Sequence, residues 1–444
     1  MTELSVLKGT KDRLPEEQIL REKIIEVIKH VFHLYGFKPA ATPILEHWDI
    51  LSSKYSGGEE ILKETYRLTD QGQRDLGLRY DLSVPLARMV GMNPHLGKPF
   101  KRYEIGLCFR DGPIRKGRYR EFVQCDADIV GVESVLADAE CLAVAHNIFK
   151  KLGLDINLEV NNRKLLTGIL IAAGVPDCSI KTTILSIDKM KKIGKTGVRE
   201  ELKIKGISSD LTDKIFSYFS YDGPYLEILD QLEPKIDNQI GKEGIAELRE
   251  LFHYLQLFGI DHDVKLLYSL ARGLEIYTGP VYEAFLKDTN ILDSSLCGGG
   301  RYDKIIGRFL ESEEKYPATG ISFGLETIFE ALTVSKKEIT SLTEVFIIPI
   351  KTLEEAIIFS NSLRQENIFT EIDLMDRKLS KNLEYANRQK IPFVIIMGKR
   401  DISNNVITLK SMKDGKEEKI SIKEAVKKLS LTLQKKENTS SLLR

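Results

Sequence analysis

From about Asp75 to Ile129 apolar residues recur with a period of two, which confines this stretch to strands of an antiparallel sheet with one wet face. In Lys101 to Arg110, Tyr103, Ile105, Leu107 and Phe109 are apolar, so Arg102, Glu104 and Arg110 share the opposite face. In the partner run Val123, Cys125, Ala127 and Ile129 point one way, and Phe122, Gln124, Asp126 and Asp128 the other. Between the two, Asp111 to Gly117 carries Gly112, Pro113 and Gly117 and reads as a hairpin loop. Two strands thus present arginine, glutamine and aspartate on one surface, and chemistry is to be sought there.

Residues 98–120 hold eight basic side chains (Lys98, Lys101, Arg102, Arg110, Arg115, Lys116, Arg118, Arg120) against Glu104 and Asp111, a local charge of +6. The whole chain balances 65 Lys+Arg with 65 Asp+Glu. It therefore lacks the general basic excess of small nucleic-acid-binding domains, and any nucleic-acid surface is local. Such a run is either a solvated loop or an anion site, since arginine forks match phosphate geometry. Arg110, read as lying on the strand, favours the anion site. Asp81, Gln124 and Asp128 read singly as surface polars, and their parity with Arg110 argues for function. Together these residues suit a nucleoside triphosphate held by arginines beside a small cationic or amphoteric ligand held by carboxylates.

Elsewhere the pattern predicts a helix from Pro15 to about Tyr35, then an extended segment with Pro39 and Pro43. A second helix runs from Asp138 to Leu152 and ends at Gly153. Residues 170–258 read as an inserted helical module, lysine-rich at 189–205, where a solvated helical face is set against contact with a nucleic-acid backbone. Strand character returns after 259, and Gly298, Gly299 and Gly300 read by default as a tight turn, set against a close approach of backbone to a ligand. Beyond Lys336, strands at Val345 to Ile350, Phe369 to Leu374, Phe393 to Met397 and Val406 to Lys410 alternate with helices at 353–366 and 379–390, a separate α/β domain. Five scattered cysteines without a C-x-x-C pair argue against zinc knuckles and disulfides, and point to a reducing cytoplasm. No signal-like start and no run of about 18 apolar residues is present, so a soluble protein with no membrane association is expected.

The motifs resemble those of the class II aminoacyl-tRNA synthetases, and specifically of the histidyl-tRNA synthetase family, over nearly the whole chain. Lys8 to Asp12 resembles the family's opening, and Thr42-Pro43-Ile44 the proline-bearing end of motif 1, which implies a homodimer. Arg79 to Arg88 (RYDLSVPLAR) resembles the histidine-pocket strand. Phe109-Arg110, Gly117 to Phe122 (GRYREF) and Gln124 to Asp128 (QCDAD) resemble motif 2, and Leu270 to Gly279 (LARGLEIYTG) the family's histidine signature.

This resemblance implies an α+β catalytic domain with an antiparallel sheet, a helical insertion and a C-terminal α/β anticodon-binding-type domain. The boundaries are 1–169 and 259–335 for the catalytic parts, 170–258 for the insertion and 342–432 for the last domain. It also implies ATP-dependent attachment of L-histidine to its tRNA through a histidyl-adenylate, with Mg2+ accompanying ATP and no resident metal. Arg272 and Arg110 would be catalytic, Arg272 standing where many class II enzymes use a metal. Asp81, Ser83, Gln124, Asp128, Arg272, Tyr277 and Tyr302 would bind histidine, and Arg110, Arg118 and Phe122 would bind ATP. The chain departs from the pattern at Thr327, where motif 3 ends in arginine, and at Glu275-Ile276-Tyr277, where the family shows D-Y-Y. The alternative is a non-catalytic histidine-sensing paralogue, such as a regulatory subunit of ATP phosphoribosyltransferase.

Overall fold

Eight strands build the central sheet: β1 (Lys38–Pro39), β2 (Phe100–Phe109), β3 (Glu121–Val130), β4 (Ile156–Asn162), β5 (Val264–Leu266), β6 (Pro280–Leu286), β7 (Cys297–Arg301) and β8 (Ala318–Gly324). Their spatial order is β1-β2-β3-β8-β7-β6-β4-β5. Every pairing is antiparallel except β1 with β2 and β4 with β5 at the two edges. The computed structural model describes residues 4–53, 59–272, 276–310, 316–334 and 341–439. The chain divides into one unit of residues 1–12 and 24–335 and another of residues 13–23 and 336–444.

The predicted hairpin is present, with β2 and β3 paired from Phe100 opposite Val130 to Phe109 opposite Glu121. Its polar face, however, is not wet. Arg102, Glu104, Asp126 and Asp128 are all buried, Arg102 completely. The segment after Asp75–Leu78 crosses that face. Arg79 Nη1 donates to Glu104 at 2.9 Å and Arg79 Nε to the Leu107 carbonyl at 2.7 Å, while Arg102 Nη2 donates to the Leu82 carbonyl at 3.0 Å. Alternation gave the parity of these residues correctly, but the covering segment comes from outside the hairpin and left no trace in the period. The apolar face packs under helices: Phe32, in Pro15–Leu34, lies 5.3 Å from the Tyr103 ring, and Phe149, in Leu136–Leu152, 5.8 Å from Phe323.

The glycine run is also not a tight turn. It forms β7, fully buried between β8 and β6. Arg110 lies one residue past the end of β2, although its N–H still donates to the Arg120 carbonyl at 2.8 Å and prolongs the ladder.

From Arg163 to Leu257 the chain is helical, beginning directly off β4. Helices Arg163–Ala173 and Gln239–Leu257 approach closely where Gly168 meets Gly241; a Cβ on Gly168 would fall 2.3 Å from the Gly241 Cα. No single described helix is long and apolar enough to cross a membrane.

In the second unit, β9 (Val345–Ile350), β10 (Thr370–Ile372), β11 (Phe393–Gly398), β12 (Val406–Ser411) and β13 (Glu417–Ser421) lie in the order β10-β9-β11-β12-β13. The first three are parallel, and β12 and β13 add antiparallel strands at one edge. Helices Leu353–Gln365 and Ile422–Thr439 bring Phe359, Leu363, Ala425 and Leu429 onto Val345, Ile347 and Ile395. Helix Leu379–Arg388 packs Ala386 with Phe346 and Val394.

Candidate active site

Register across the sheet sorts the polar residues into rows, because directly opposed residues share a face. One row reads Arg102, Asp128, Gly320, Gly300 across β2, β3, β8 and β7. The next reads Glu104, Asp126, Ser322, Gly298, Glu283, ending on β6. A third reads Gly106, Gln124, Gly324.

The glycines in these rows are spaces that neighbouring side chains fill. A Cβ on Gly298 would lie 2.1 Å from Arg272 Nη1, and one on Gly320 would lie 2.0 Å from Asp128 Oδ1. Neither position takes a side chain without displacing its neighbour. Above Gly300 the vacant room is taken by Tyr277, whose Cδ1 would be 2.8 Å from an added Cβ. The glycine strand is therefore a floor shaped around Arg272, Tyr277 and Asp128.

Asp128 is held by two partners. Tyr302 donates its hydroxyl to Asp128 Oδ1, and Arg102 Nη2 stands 3.1 Å from Oδ2. Burial raises the Asp128 carboxyl above its usual range, opposed by Arg102 and Tyr302. In the adjacent row burial, and then Asp128, pushes the Asp126 carboxyl up to about 8. Gln124 Nε2 donates to Ser322 Oγ at 2.7 Å, while Gln124 Oε1 and Asp126 Oδ1 are buried and have no hydrogen-bond partner among the described residues. Orphaned acceptors are costly in a closed interior, and here they recur at alternate residues of one strand, Asp128 Oδ2 being the third, beside Arg102 but without a hydrogen bond.

Arg272 adopts φ +49°. Its Nη1 donates to the Tyr282 carbonyl at 3.2 Å, its Nε stands 3.6 Å from Glu283 Oε1, and its Cζ lies 5.4 Å from the Tyr277 ring centre. Asp81 Oδ1 accepts the N–H groups of Ser83 at 3.0 Å and Val84 at 3.1 Å, which caps helix Ser83–Met92. Ser83 is half-buried at that helix start. Asp81 is close enough to act electrostatically on Asp126, Asp128 and Tyr277.

Arg110 is clamped between two rings, its Cζ 4.1 Å from the Tyr80 centre and 4.8 Å from that of Phe122, with Nε donating to the Tyr80 carbonyl at 3.2 Å. Arg118 stands apart, on the hairpin loop and 46 % exposed, 3.9 Å from Glu64. Thr327 lies in the first turn of helix Leu325–Val334, its Oγ1 donating to the Gly324 carbonyl at 2.9 Å; a Cβ on Gly117 of the hairpin loop would come within 3.1 Å of its Cγ2. Glu275 lies outside the described residues, and Ile276 is buried with Tyr302 and Leu86. Arg301 is committed on the opposite face, to Asp138 and to the Val132 and Ser134 carbonyls.

The rows thus unite Gln124, Asp128, Arg272, Tyr277 and Tyr302, with Asp81 and Ser83 at the adjoining helix start and Arg110 and Phe122 at the strand end. Asp126, Ser322 and Glu283 belong to the same rows and were not selected from the sequence. Asp126 had the right parity, but Ser322 and Glu283 are joined to it only by pairing between distant strands. Among the described residues no group of three or more His, Cys, Asp or Glu side chains is placed to hold a metal ion.

Comparison with known proteins agrees with this architecture. Residues 9–328 match the histidyl-tRNA synthetase family model, and residues 344–431 match the anticodon binding domain model. Histidine–tRNA ligase 1 of Bacillus cereus is 48% identical over 423 residues, covering 95% of this chain and 98% of that protein. The crystal structure of a Nostoc histidyl-tRNA synthetase superposes with a TM-score of 0.86 at 28% identity, covering 97% of this chain and 100% of that one. A Bacillus halodurans protein described as an ATP phosphoribosyltransferase regulatory subunit/histidyl-tRNA synthetase shares the fold, with a TM-score of 0.74 at 20% identity over 89% of this chain and 99% of that one. A floor of glycine strand under a paired arginine and tyrosine, carried on this antiparallel sheet and matched along almost its full length, makes the chain a member of the histidyl-tRNA synthetase family, with the class II synthetase fold.

Proposed function

We propose that the protein attaches L-histidine to its tRNA in two steps. The histidine carboxylate attacks the α-phosphate of ATP, forming the acyl–phosphate bond of histidyl-adenylate and expelling pyrophosphate. A hydroxyl of the tRNA's terminal adenosine then attacks the histidyl carbonyl, and AMP leaves. The observation that carries this reading is the lodging of Arg272 over Gly298, in the same row as Asp126 and Ser322 and next to the Asp128–Tyr302 pair. Cation and carboxylates are thereby held together on one face of the sheet.

Such a reaction needs alignment and neutralisation of developing charge more than acid–base help. Arg272 and Arg110 face the α-phosphate in this reading, and Arg110 is stiffened for that by its two rings. Asp81 and Ser83 take the α-amino group, and Gln124 orients the amino acid. Asp128, Tyr277 and Tyr302 take the imidazole. Phe122 stacks on adenine, and Arg118, being exposed, reaches the outer phosphates, with Mg2+ entering as the counter-ion of ATP. The unit containing β9 to β13 reads unstacked anticodon bases. The working form is a cytoplasmic homodimer.

Histidine-dependent ATP–pyrophosphate exchange tests the reading. Exchange with histidine alone is the expected result. Histidine binding without exchange would overturn it in favour of a histidine sensor.

A further inference from the structure

Tyr277 and Tyr302, the two rings beside Asp128, come to the site from different parts of the sheet. Tyr302 directly follows β7, while Tyr277 lies ahead of β6, outside any strand. In the β6–β7 ladder Val281 faces Gly300, and three residues further out the same register brings Thr278 opposite Asp303, beyond the ends of both strands. There side chains prolong the ladder. Thr278 Oγ1 donates to Asp303 Oδ2 at 3.0 Å and accepts the Asp303 N–H at 3.2 Å, a reciprocal pair in which one hydroxyl uses both its proton and a lone pair. The Thr278 N–H donates to the Arg301 carbonyl at 2.8 Å.

Asp303 is itself fixed. Its Oδ1 accepts the Ala318 N–H at 3.1 Å at the start of β8, and the Tyr302 N–H donates to the Ala318 carbonyl at 2.7 Å. Arg301, committed on the face away from the site, stands 3.5 Å from the same Oδ1, so the Thr278–Asp303 pair lies behind the two rings. Each member of the pair immediately follows one of the tyrosines. Tyr302 is held at its far end by its hydroxyl on Asp128. The Tyr277 ring rests over Gly300, in the row of Asp128, where the glycine offers a flat floor and no side chain to interlock with. Its place on that floor depends on where the backbone sets it down, and Thr278 ties that backbone to the end of β7.

We propose that Thr278, hooked on Asp303, is a positioning residue for Tyr277: the hydroxyl–carboxylate clasp sets the gap between the Tyr277 and Tyr302 rings and with it the fit of the imidazole of histidine. The inference rests on the reading of these two tyrosines as imidazole-binding. Thr278 itself touches no substrate.

The test is steady-state pyrophosphate exchange on the full-length protein, with histidine and ATP varied in turn, for Thr278→Val, Thr278→Ser, Tyr277→Leu and the Thr278→Val/Tyr277→Leu double variant. Thr278→Val keeps the shape and removes the hydroxyl. Its KM for histidine is expected to rise about 10-fold, the worth of one hydrogen bond to a charged group, while its KM for ATP stays at the parent value. Thr278→Ser keeps the hydroxyl and stays near the parent in both. In the Tyr277→Leu background Thr278→Val adds nothing to the histidine KM, because no ring remains to be placed. Equal rises for histidine and ATP, a rise in Thr278→Ser matching that in Thr278→Val, or effects that multiply in the double variant would each overturn the proposal. An unchanged histidine KM for Thr278→Val beside a raised one for Tyr277→Leu would overturn it while leaving the pocket reading intact. An unchanged histidine KM for Tyr277→Leu would overturn the pocket reading and the proposal together. KM does not depend on how much of a preparation is folded, so partial misfolding of Thr278→Val leaves the result legible; should none of it fold, Thr278→Ala decides by the same criteria.

Discussion

Gly298 shows how one absent side chain governs a reactive one. Alanine there would place a methyl 2.1 Å from Arg272 Nη1 and force the guanidinium off its seat. Gly298→Ala should therefore lose about 100-fold in exchange rate while its melting temperature stays near that of the parent, a split read by running both assays. Asp126 supports a pH prediction. Its carboxyl is raised by burial from 3.8 to about 8, so the folded state holds a proton that the unfolded state releases. That contribution is complete below about pH 4 and is lost as pH rises through 8. Asp126→Asn, a mimic of the protonated acid, should flatten the fall in stability between these values in melts taken from pH 4 to pH 9. Thr327→Arg is expected to strengthen ATP binding, by about 2–4 kcal/mol if the new side chain gains both a cation–π contact and a phosphate pair. An unchanged or higher KM for ATP would show that this position does not face the nucleotide.

At the scale of elements, buried ion pairs tie the β2–β3 hairpin to the segment after Asp75–Leu78. Glu104 lies between Arg79 at 2.9 Å and Arg102 at 3.0 Å, all three buried. Removing the shared carboxylate leaves two guanidinium groups in a dry interior. Breaking buried pairs in this way costs about 3–5 kcal/mol, and Glu104→Ala should show that loss in urea unfolding. Parity within the hairpin was legible because each strand writes its own alternation. The partner that covers the polar face was not, since Arg79 and Leu82 meet it through hydrogen bonds that no local pattern encodes. The same limit explains β7. Three successive glycines carry no alternation at all, so only their register with Glu283 and Ser322 reveals a buried strand in place of a turn.

Over the whole molecule, the proposed function puts adenylate chemistry and anticodon reading in different units, each with its own core. Leu374 and Met375, just after β10, expose 87 % and 73 % of their surface in the unit matched by the anticodon binding domain model. Covering these two side chains against a partner would remove apolar surface from water. Replacing both by serine should leave pyrophosphate exchange unchanged and raise the KM for tRNA in aminoacylation. A parallel fall in both activities would count against this division of labour.

The sequence by itself determined the family, the parity of Arg102, Gln124, Asp126 and Asp128, and the ends of helices such as Leu136–Leu152 at Gly153, because motifs, alternation and caps are written in consecutive residues. Only the tertiary structure decided that the polar face of the hairpin is buried and that the glycines are a floor. Each of these depends on strands or helices far apart in the chain being brought to one place. The free energy that brings them there is spread over the whole core and leaves no signature in any single segment.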